Sequence, residues 1–442
     1  MNTKEEGFCN CLTRKESTMK HIVFVSAVLA LSVAYADTIY TEEKEGTVLV
    51  ATVDATETNE FDAAYAAKLK ENKYTLFEKR GDGGLFMPDD ISGYMGAVTV
   101  RAGSLGYMKS TSLGSLAAGN GDVTVIAGAT LFIPDNRTDS RVSVNSVSPL
   151  GKSFLLAGMG VGDVAGAVDI RSEQQRCPMG TNITLLADTR IRNRTQYYWG
   201  YSWDKVAHRC RLNMGRYVLR LNSEGSMPSF MMVDVENPGR IVIESSPSFS
   251  ITSSRLGGSE SNEVQIEMAP KNASLTLSDI RSGVEFPYLP MWKLVTASGG
   301  SGDDGLSTIL SQTPDYNFPC NDYPGITTNV IAWGGPILLN GSRLLNIQSK
   351  TSNHGGIALL GKVSGSQPLR VWGNRDDDGN AYHHPYLNLV CPDNDFTGEF
   401  TVKYGGVRLW NPGAIGNPSL VKLEGGEVAF DNLCDDFGHC PT

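Results

Sequence analysis

The chain has 442 residues, of which 48 are glycine and 19% are charged, and its formal net charge at neutral pH is −10. An acidic surface repels nucleic acid phosphates and offers no polybasic patch to anionic lipids, so the composition excludes both classes of partner. The high glycine content and the scarcity of charged helix formers favour many short strands joined by tight turns.

The N-terminal residues predict an export signal. Lys20 precedes the apolar segment 22–33, which is too short to span a bilayer, and Ala34-Tyr35-Ala36 supplies a small-x-small cleavage pattern. We therefore expect residues 1–36 to be an N-terminal extension and signal peptide that is cleaved after Ala36. Its removal takes away four of the 38 Lys and Arg and three of the 48 Asp and Glu, which leaves a net charge of about −11.

Residues 37–77 predict a strand and a helix that cap the rest of the chain. The strand is the apolar segment 47–53, and the helix lies in TNEFDAAYAAKLKEN, which Asn59 is expected to cap. The predicted apolar face of the helix consists of Phe61, Ala64, Tyr65, Ala67 and Leu69. A short helix before a strand array can cover the open end of a stack and protect its unpaired edges from aggregation.

Residues 78–442 predict an all-β fold, specifically a single-stranded parallel β-helix, or solenoid. Short strand-like segments such as GRYVLRL, GRIVIESS and PILLNGSRLLNI alternate with Gly, Asn, Asp, Ser and Pro throughout this region. A sandwich or barrel normally ends near ~250 residues, whereas here the pattern continues to the last part of the chain. Such persistence favours an architecture that grows by stacking similar layers.

One pattern occurs twice, as YMGAVTVRAGSLGYMKSTSLG at 94–114 and FTGEFTVKYGGVRLWNPGAIG at 396–416. In Val98-Thr-Val100 and Phe400-Thr-Val402 the alternation predicts apolar side chains that point inward and a threonine that points outward. The turns that follow need residues that tolerate positive φ or close backbone approach. The predicted structural glycines of the two copies are Gly96, Gly103, Gly114, Gly128, Gly398, Gly405, Gly406, Gly416 and Gly426.

These two copies resemble the unit of the autotransporter-associated β-strand repeat family: aromatic-x-Gly, strand, glycine turn, strand, small-Leu-Gly, then V-x-V and a closing strand. The segment KRGDGGL, which begins at Lys79, resembles the K-x-G-x-G-x-L lead-in of that family. The resemblance implies a passenger-like, non-enzymatic protein of a Gram-negative cell surface with a structural or adhesive role. It also implies an extracellular polysaccharide or a host or cell-surface ligand as partner, a monomeric chain and no cofactor.

The sequence departs from the family in two features. Passengers are typically poor in cysteine, whereas six cysteines follow the predicted cleavage site: Cys177, Cys210, Cys320, Cys391, Cys434 and Cys440. Six cysteines in an oxidising compartment allow fifteen pairings, of which Cys434–Cys440 is the local candidate, and their wide spacing disfavours zinc. The last residues also lack the alternating strands of a membrane barrel, so we expect a secreted chain, or outer-membrane attachment through a barrel outside this sequence.

Two irregular segments are candidate ligand contacts. The segment TQYYWGYSW brings together Tyr197, Tyr198, Trp199, Tyr201 and Trp203, whose rings either stack on sugars or cover apolar surface. In NRDDDGNAYHH, Asn374, Asp376 and Asp378 alternate before a glycine, as at the start of a calcium loop. Position 385, where an EF-hand needs Glu, is proline, which leaves a looser calcium turn or a solvated acidic turn.

Residues of catalytic and metal-binding types also occur in the sequence, and each has an ordinary surface role as its alternative. A β-helix lyase or hydrolase would gather Asp, Lys and Arg from successive layers, and Asp163, Asp169 and Arg171, or Asp303 and Asp304, can be placed in that role or on an ordinary surface. The neighbours His383-His384 would face opposite sides of a strand and are not a metal pair. No G-x-S-x-G motif is present, and GGSGDDG lacks the lysine of a phosphate loop. The sequence thus predicts no catalytic, cofactor or metal residue.

Three functions remain open from the sequence. The first is an exported, non-enzymatic β-helix with a structural or adhesive role. The second is a polysaccharide-active enzyme, which requires convergent charged side chains on one β-face. The third is a carbohydrate-binding surface module, which requires coplanar exposed rings in the aromatic segment.

Overall fold

The residues that the computed structural model describes are 38–55, 57–87, 90–115, 121–134, 152–163, 165–171, 182–193, 198–199, 211–223, 229–232, 234–236, 239–244, 248–252, 264–268, 274–278, 293–296, 307–311, 330–342, 344–349, 356–372 and 386–430. The chain divides into two compact units, and all described residues belong to the second, Ala36–Thr442.

β-strands dominate the described residues, as the composition predicts. Strands β1 to β17 are, in chain order, Ile39–Glu43, Val48–Thr52, Thr58–Glu60, Leu76–Arg80, Gly84–Met87, Ala97–Val100, Gly103–Tyr107, Val123–Val125, Ala129–Ile133, Ser153–Gly158, Val168–Ile170, Asn182–Asn193, Tyr198–Trp199, Arg211–Asn213, Val218–Ser223, Ser229–Met232 and Asp234–Glu236. Strands β18 to β34 are Gly239–Ile243, Ser248–Thr252, Val264–Met268, Ser274–Ser278, Lys293–Thr296, Ser307–Ser311, Val330–Trp333, Ile337–Leu339, Leu345–Ser349, Gly356–Leu359, Val363–Gly365, Leu369–Trp372, Tyr386–Leu389, Glu399–Tyr404, Gly406–Leu409, Leu420–Leu423 and Glu427–Phe430. The helical elements among the described residues are the α-helix α1, Ala63–Lys70, and the 3-10 segments Ser110–Leu113 and Val161–Asp163.

The strands pair in four parallel ladders. Ladder I is β2–β4–β6–β8–β10–β12–β14–β17. Ladder II is β3–β5–β7–β9–β11–β12–β15–β18–β20–β22–β25–β28. Ladder III is β13–β16–β19–β21–β23–β26–β29–β31–β33. Ladder IV is β24–β27–β30–β32–β34.

The ladders are distributed over three sheets of twenty, nine and five strands. The largest contains ladders I and II, which share the long strand β12: its first half pairs with β10 and β14, and its second half with β11 and β15. Strand β1 joins the same sheet by pairing antiparallel with β2. All other pairings among the described strands are parallel. The all-β prediction is confirmed because strands far outnumber helical elements among the described residues.

The core consists of aligned apolar columns from successive strands. In β6, Val98 and Val100 are buried and Thr99 between them is partly exposed, as the alternation predicts. The parallel register places the inward side chains of ladder I one above another, since neighbouring strands lie ~4.8 Å apart. The first column of ladder I is fully or almost fully buried and consists of Phe77, Val98, Val123, Phe154, Ile183 and Leu212.

A glycine turn separates ladder I from ladder II. Gly103, which follows β6, has a φ of 62°, a value that L side chains adopt rarely. A Cβ at this position would lie 2.2 Å from the backbone oxygen of Gly83 in the preceding layer. The turn therefore requires glycine for two reasons, its dihedral angle and the close approach of the neighbouring turn.

Helix α1 begins later than the sequence predicts. Its N-cap is Asp62, whose Oδ1 accepts hydrogen bonds from the backbone N–H groups of Ala64 at 2.7 Å and Tyr65 at 3.4 Å. The predicted cap, Asn59, instead lies in β3, where its side chain donates to Thr38 Oγ1. The predicted apolar face is also partly wrong, because Ala66 and Leu69 are the buried helix residues while Ala64 and Ala67 are exposed.

Aromatic rings close the core at this end of ladders I and II. Tyr40 of β1 stacks on Tyr65 of α1, with 4.1 Å between ring centroids and 16° between planes. Phe61 meets Tyr40 at 5.4 Å and Phe77 at 5.2 Å, both edge to face. The hydroxyl of Tyr40 accepts a hydrogen bond from the backbone N–H of Asp62. Strand β1 and helix α1 are thus tied together over the first layer.

Candidate functional site

The two copies of the repeated motif adopt the same local structure. The buried aromatic residue that opens each copy, Tyr94 or Phe396, accepts through its backbone oxygen a hydrogen bond from a residue of the following turn. The donor is Ser115 N–H at 2.7 Å in the first copy and Asn417 N–H at 2.8 Å in the second. Each copy then continues with two strands joined by a glycine turn, β6 and β7 or β31 and β32.

The nine glycines predicted to be structural lie in the turns and at strand edges. Those with positive φ are Gly103, Gly114, Gly128, Gly405 and Gly416. A Cβ would lie within 3.0 Å of neighbouring atoms at Gly96, Gly398 and Gly426, and Gly406 begins β32. These positions shape the backbone and place no reactive group.

Several predicted ligand residues lie outside the described residues. This holds for Tyr197, Tyr201, Trp203, Asn374, Asp376, Asp378, Cys434, Cys440, Asp303, Asp304, His383 and His384. The backbone of Tyr198 and Trp199 forms β13, which pairs with β16 and begins ladder III. Of the six cysteines only Cys391 is described, and its half-buried thiol forms no disulfide.

A cluster of charged side chains lies on the outer side of ladder II, on β11, β12 and β15 and on the residues that directly follow β11 and β18. We call it the charged face and define it by Asp169, Arg171, Arg190, Arg220 and Glu244. Val168 and Ile170 on either side of Asp169 point into the core, so Asp169 points away from it. Arg171 Nε donates to Asp169 Oδ2 at 2.7 Å, and the same guanidinium lies 4.2 Å from the ring centroid of Phe132.

Glu244 is the centre of the charged face. Arg190 donates to both carboxylate oxygens of Glu244, through Nε at 2.9 Å and Nη2 at 3.3 Å. Arg220 occupies the position next to Arg190 in the ladder and donates through Nη1 to the same carboxylate at 3.1 Å. Arg190 also donates through Nη1 to the backbone oxygen of Asp163 at 2.5 Å. Asp169 and Arg171 therefore meet as the sequence allows, while Asp163 contributes a carbonyl group and not its carboxylate.

The electrostatics of the charged face keep Glu244 ionised. Burial alone would raise the pKa of Glu244, but the guanidinium groups of Arg190 and Arg220 outweigh it and hold that pKa below its ordinary value. A carboxylate fixed in this way accepts hydrogen bonds and attracts cations, but it is a poor proton donor at neutral pH. The arrangement suits binding of polar groups better than general acid catalysis.

Sequence reasoning missed Arg190, Arg220 and Glu244. Arg190 and Glu244 are 54 residues apart in the chain and meet because ladder II brings β12, β15 and β18 side by side. One pattern in the sequence could have indicated them. In Thr189–Asn193 and Val218–Ser223 arginine alternates with apolar residues, and this alternation places the guanidinium groups on one outer face.

A second cluster of the same kind lies near the start of ladder I. Glu78 is almost fully buried and forms ion pairs with Arg80 and with Arg101, whose Nε lies 2.6 Å from Oε2. Arg80 also forms a two-point contact with Glu43, at 2.7 and 3.0 Å. Burial opposes ionisation of Glu78, but the two guanidinium groups lower its pKa overall. Both clusters place one carboxylate between arginines of neighbouring strands.

Two lysines are buried beneath the turns. Lys79 Nζ donates to the backbone oxygens of Gly81 at 2.6 Å, Arg80 at 2.9 Å and Ala102 at 3.0 Å, which belong to two successive turns. Lys152 Nζ donates to Gly121 O at 2.7 Å and Gly96 O at 3.4 Å, again in successive layers. Burial lowers the pKa of each lysine to about 8. Their ammonium groups bind backbone carbonyl groups of the scaffold.

The described residues contain no set of three His, Cys, Asp or Glu side chains that could ligate a metal ion. None of the helices in this part of the chain has the length and apolar character needed to cross a membrane.

Comparisons of the chain with protein-family models, with curated proteins and with solved structures find no match. The likeness to autotransporter-associated repeats therefore remains an expectation drawn from residues 94–114 and 396–416.

Proposed function

We propose that this chain is an exported, non-enzymatic β-solenoid that acts as a structural or adhesive scaffold on, or released from, a Gram-negative cell surface. The observation that carries the proposal is the order in which the chain visits its ladders. Successive strands β14 to β19 belong to ladders I, II, III, I, II and III, and strands β25 to β30 to ladders II, III, IV, II, III and IV.

This order is what a winding chain produces. A chain that returns to the same ladders in the same order, each time one strand further, adds one layer per turn. In chain order β14 and β17 of ladder I each follow a strand of ladder III and precede a strand of ladder II, and so do β24 and β27 of ladder IV. We infer that ladders I and IV occupy the same side of one parallel β-helix, with α1 as its N-terminal cap.

The equivalence of the two motif copies supports the resemblance to passenger repeats. Tyr94–Ser115 and Phe396–Asn417 are the same backbone hydrogen bond in layers far apart in the chain. A repeat whose glycines and buried aromatic ring serve only the backbone specifies a scaffold. Function then falls to side chains displayed outside the layers, because loops on a rigid scaffold vary without disturbing its core.

The charge states of the carboxyl groups favour a binding or structural role over catalysis. A general acid needs a carboxyl group with a raised pKa. Where the pKa of a described carboxyl group is displaced, it is displaced downward, because a neighbouring cation or hydrogen-bond donor outweighs burial. This set comprises Glu42, Glu71, Glu78, Asp90, Glu244, Asp395 and Glu399.

Export and the solenoid are tested separately. Expression with the native N-terminus in a Gram-negative host should yield a product outside the cytoplasm whose mass begins at residue 37; an uncleaved cytoplasmic product would contradict export. For the solenoid, a chain ending at residue 416 lacks β33 and β34 but retains every earlier layer. It should unfold with only slightly reduced stability, whereas loss of all cooperative unfolding would indicate a single closed core.

The charged face favours a second function, contact with a polysaccharide. Arg190, Arg220 and Glu244 converge on one β-face, which is also the arrangement required of a polysaccharide-active enzyme. Glu244→Gln and Arg220→Met, assayed for retention on immobilised acidic and neutral polysaccharides, test binding. Release of unsaturated or reducing ends from the same polymers by wild type, lost in Glu244→Gln, would identify an enzyme and contradict the scaffold proposal.

A further inference from the structure

The turn that joins β14 to β15 consists of Met214, Gly215, Arg216 and Tyr217. It is closed by a hydrogen bond from the backbone N–H of Tyr217 to the oxygen of Met214 at 2.9 Å. Its two central residues, Gly215 and Arg216, have φ values of 55° and 71°. Positive φ at both central positions is the pattern of a type I′ turn, which favours Gly, Asn or Asp at each of them. Arg216 therefore occupies a position that is unfavourable for its side chain.

The ring of Tyr217 lies against the backbone of this turn. A Cβ atom on Gly215 would be 3.2 Å from two carbon atoms of that ring and 3.1 Å from the backbone oxygen of Leu185 in the preceding layer. The ring thus covers a position where a side chain would crowd it, and the turn itself is seated on the layer before it. Tyr217 is nevertheless 37% exposed. The contact fixes one side of the ring, and its exposed part remains available to a ligand.

Apolar surface is also exposed at the same corner of the two preceding layers. Leu186, which follows the residue on which Gly215 is seated, is 45% exposed, and Val161, between β10 and β11, is 39% exposed. With Tyr217 they form a series of exposed apolar residues between ladders I and II in three consecutive layers. Single residues of this kind are ordinary on a protein surface, whereas such a series offers contacts to an elongated ligand.

Ionic side chains border the ring. Arg216 is exposed beside it, and the exposed Arg240 of β18 donates its backbone N–H to the oxygen of Tyr217 at 3.2 Å. Asp188 contributes a carboxylate, whose Oδ1 accepts the N–H of Val218 at 2.9 Å. Of these three ionic side chains two are guanidinium groups, although the net charge of the chain is −10. A guanidinium group binds a carboxylate through two parallel hydrogen bonds, so the border of the ring favours an acidic ligand.

We propose that this turn binds an acidic polysaccharide, with a uronate ring stacked on Tyr217 and its carboxylate held by Arg216 and Arg240. One face of a pyranose ring presents C–H groups, so it packs on an aromatic ring as other apolar surface does. The charged face begins three residues further along β15, at Arg220, and one polymer can contact both surfaces. The inference rests on the polysaccharide contact proposed above and adds a site and a class of polymer to it.

The proposal also gives a reason for the conformation of Arg216. Residues in sparsely populated regions of φ and ψ persist where the surrounding structure holds them, and they concentrate at ligand-binding sites. The hydrogen bond that closes the turn and the packing of Gly215 hold Arg216 in place. Its side chain is then retained for the ligand that it binds, at the expense of the turn.

The test is the affinity of the full chain for polygalacturonate, measured by isothermal titration calorimetry. The fully methyl-esterified polymer, which has the same rings without the charge, serves as the comparison ligand. Wild type should bind the acidic polymer about fivefold more tightly than the ester. Tyr217→Ala should weaken binding of the acidic polymer about tenfold, whereas Tyr217→Phe keeps the ring and should bind like wild type.

Arg216→Gly separates binding from stability. It should weaken binding of the acidic polymer about fivefold, yet raise the midpoint of urea unfolding, because glycine adopts positive φ without strain. The matched control is Lys44→Gly in the turn between β1 and β2. Lys44 is also exposed and left-handed, with a φ of 51°. Its replacement should raise the urea midpoint in the same way and leave binding unchanged.

Four results would overturn the inference. Equal affinity for the acidic and esterified polymers would exclude a carboxylate ligand. Unchanged binding by both Tyr217→Ala and Arg216→Gly would leave the polysaccharide contact to the charged face alone. Equal losses in Arg216→Gly and Lys44→Gly would mean that only the overall charge matters. A wild type that binds neither polymer would also overturn it, and retention on another polysaccharide in the assay above would then show that the site and the polymer class are wrong while the contact itself stands.

Discussion

Because the ammonium group of Lys79 is buried, the free energy of unfolding of this chain should increase as the pH rises above about 8. The pKa of Lys79 falls from 10.5 to about 8 in the folded chain. Since one pKa unit corresponds to ~1.36 kcal/mol, burial of the charged form costs about 3 kcal/mol. The penalty is complete below pH 8, where both states carry the charge. It disappears as the pH rises towards 10.5, because the folded state loses its proton first.

The perturbation is Lys79→Met, which keeps most of the side-chain volume and removes the titrating group. The free energy of unfolding of wild type minus that of Lys79→Met should increase by about 2.5 kcal/mol between pH 7 and pH 10. Other groups titrate alike in both chains and cancel in the difference. Urea unfolding followed by circular dichroism at both pH values measures it, with the exposed Lys70→Met as control.

The opposing effect is the set of three carbonyl oxygens that surround Lys79 Nζ. Each accepts a hydrogen bond from the ammonium group and favours the charged form, whereas a neutral amine can donate only two hydrogen bonds. A difference that stays constant or decreases from pH 7 to pH 10 would mean that these carbonyl groups outweigh burial, and would refute the reasoning. Lys152→Met provides an independent repeat, because the pKa of Lys152 is also lowered to about 8 by burial.

Three further predictions concern a turn, the charged face and the helix. Gly103→Ala should destabilise the chain by about 3 kcal/mol, whereas Gly128→Ala, with a positive φ but open space around it, should cost about 1 kcal/mol; urea unfolding compares them, and equal losses would contradict the steric argument. Glu244→Gln should lower the free energy of unfolding by about 2 kcal/mol at pH 7. That loss should vanish as the pH falls through the lowered folded-state pKa of Glu244, because a depressed carboxyl pKa stabilises only above it. Asp62→Ala should cost about 1 kcal/mol in thermal unfolding, and Asp62→Ser should retain most of the stability.

Local patterns in the sequence predicted the strands because short strands depend on their own residues. Alternation in Val98-Thr-Val100 fixes which side chains enter the core, and a glycine that tolerates positive φ fixes where the chain turns. The predicted strand 47–53 contains the observed β2, Val48–Thr52. The prediction of the helix start was wrong because two residues, Asn59 and Asp62, can each serve as the N-cap. Asn59 has the right side chain for a cap, but the pairing of β3 with β5 extends the backbone through it and leaves Asp62 as the cap.

The charged face could not be predicted, since its contacts depend on how many residues each layer contains. Arg190 and Glu244 meet only because a single strand of ladder II, β15, lies between β12 and β18. A single residue inserted between these strands would leave the alternation within each strand unchanged. If the insertion shifted the register between strands, however, different side chains would lie opposite one another. Side chains that act across layers are therefore hidden in a sequence of this type.

Lys79 connects the two kinds of information. It is the first residue of the K-x-G-x-G-x-L segment, where the resemblance gives it no physical role. In the fold its ammonium group donates hydrogen bonds to the backbone oxygen of Gly81, the first glycine of the same motif, and to that of Ala102 in the following layer. Stacked turns with positive φ gather backbone oxygens beneath them, and an unsatisfied buried acceptor costs about 1–3 kcal/mol. One ammonium group with three protons serves three of these oxygens, of which that of Arg80 also accepts the backbone N–H of Val53 at 3.1 Å. The buried lysine is thus a consequence of stacking glycine turns, and Lys152 between Gly96 and Gly121 is the same solution at a second pair of layers.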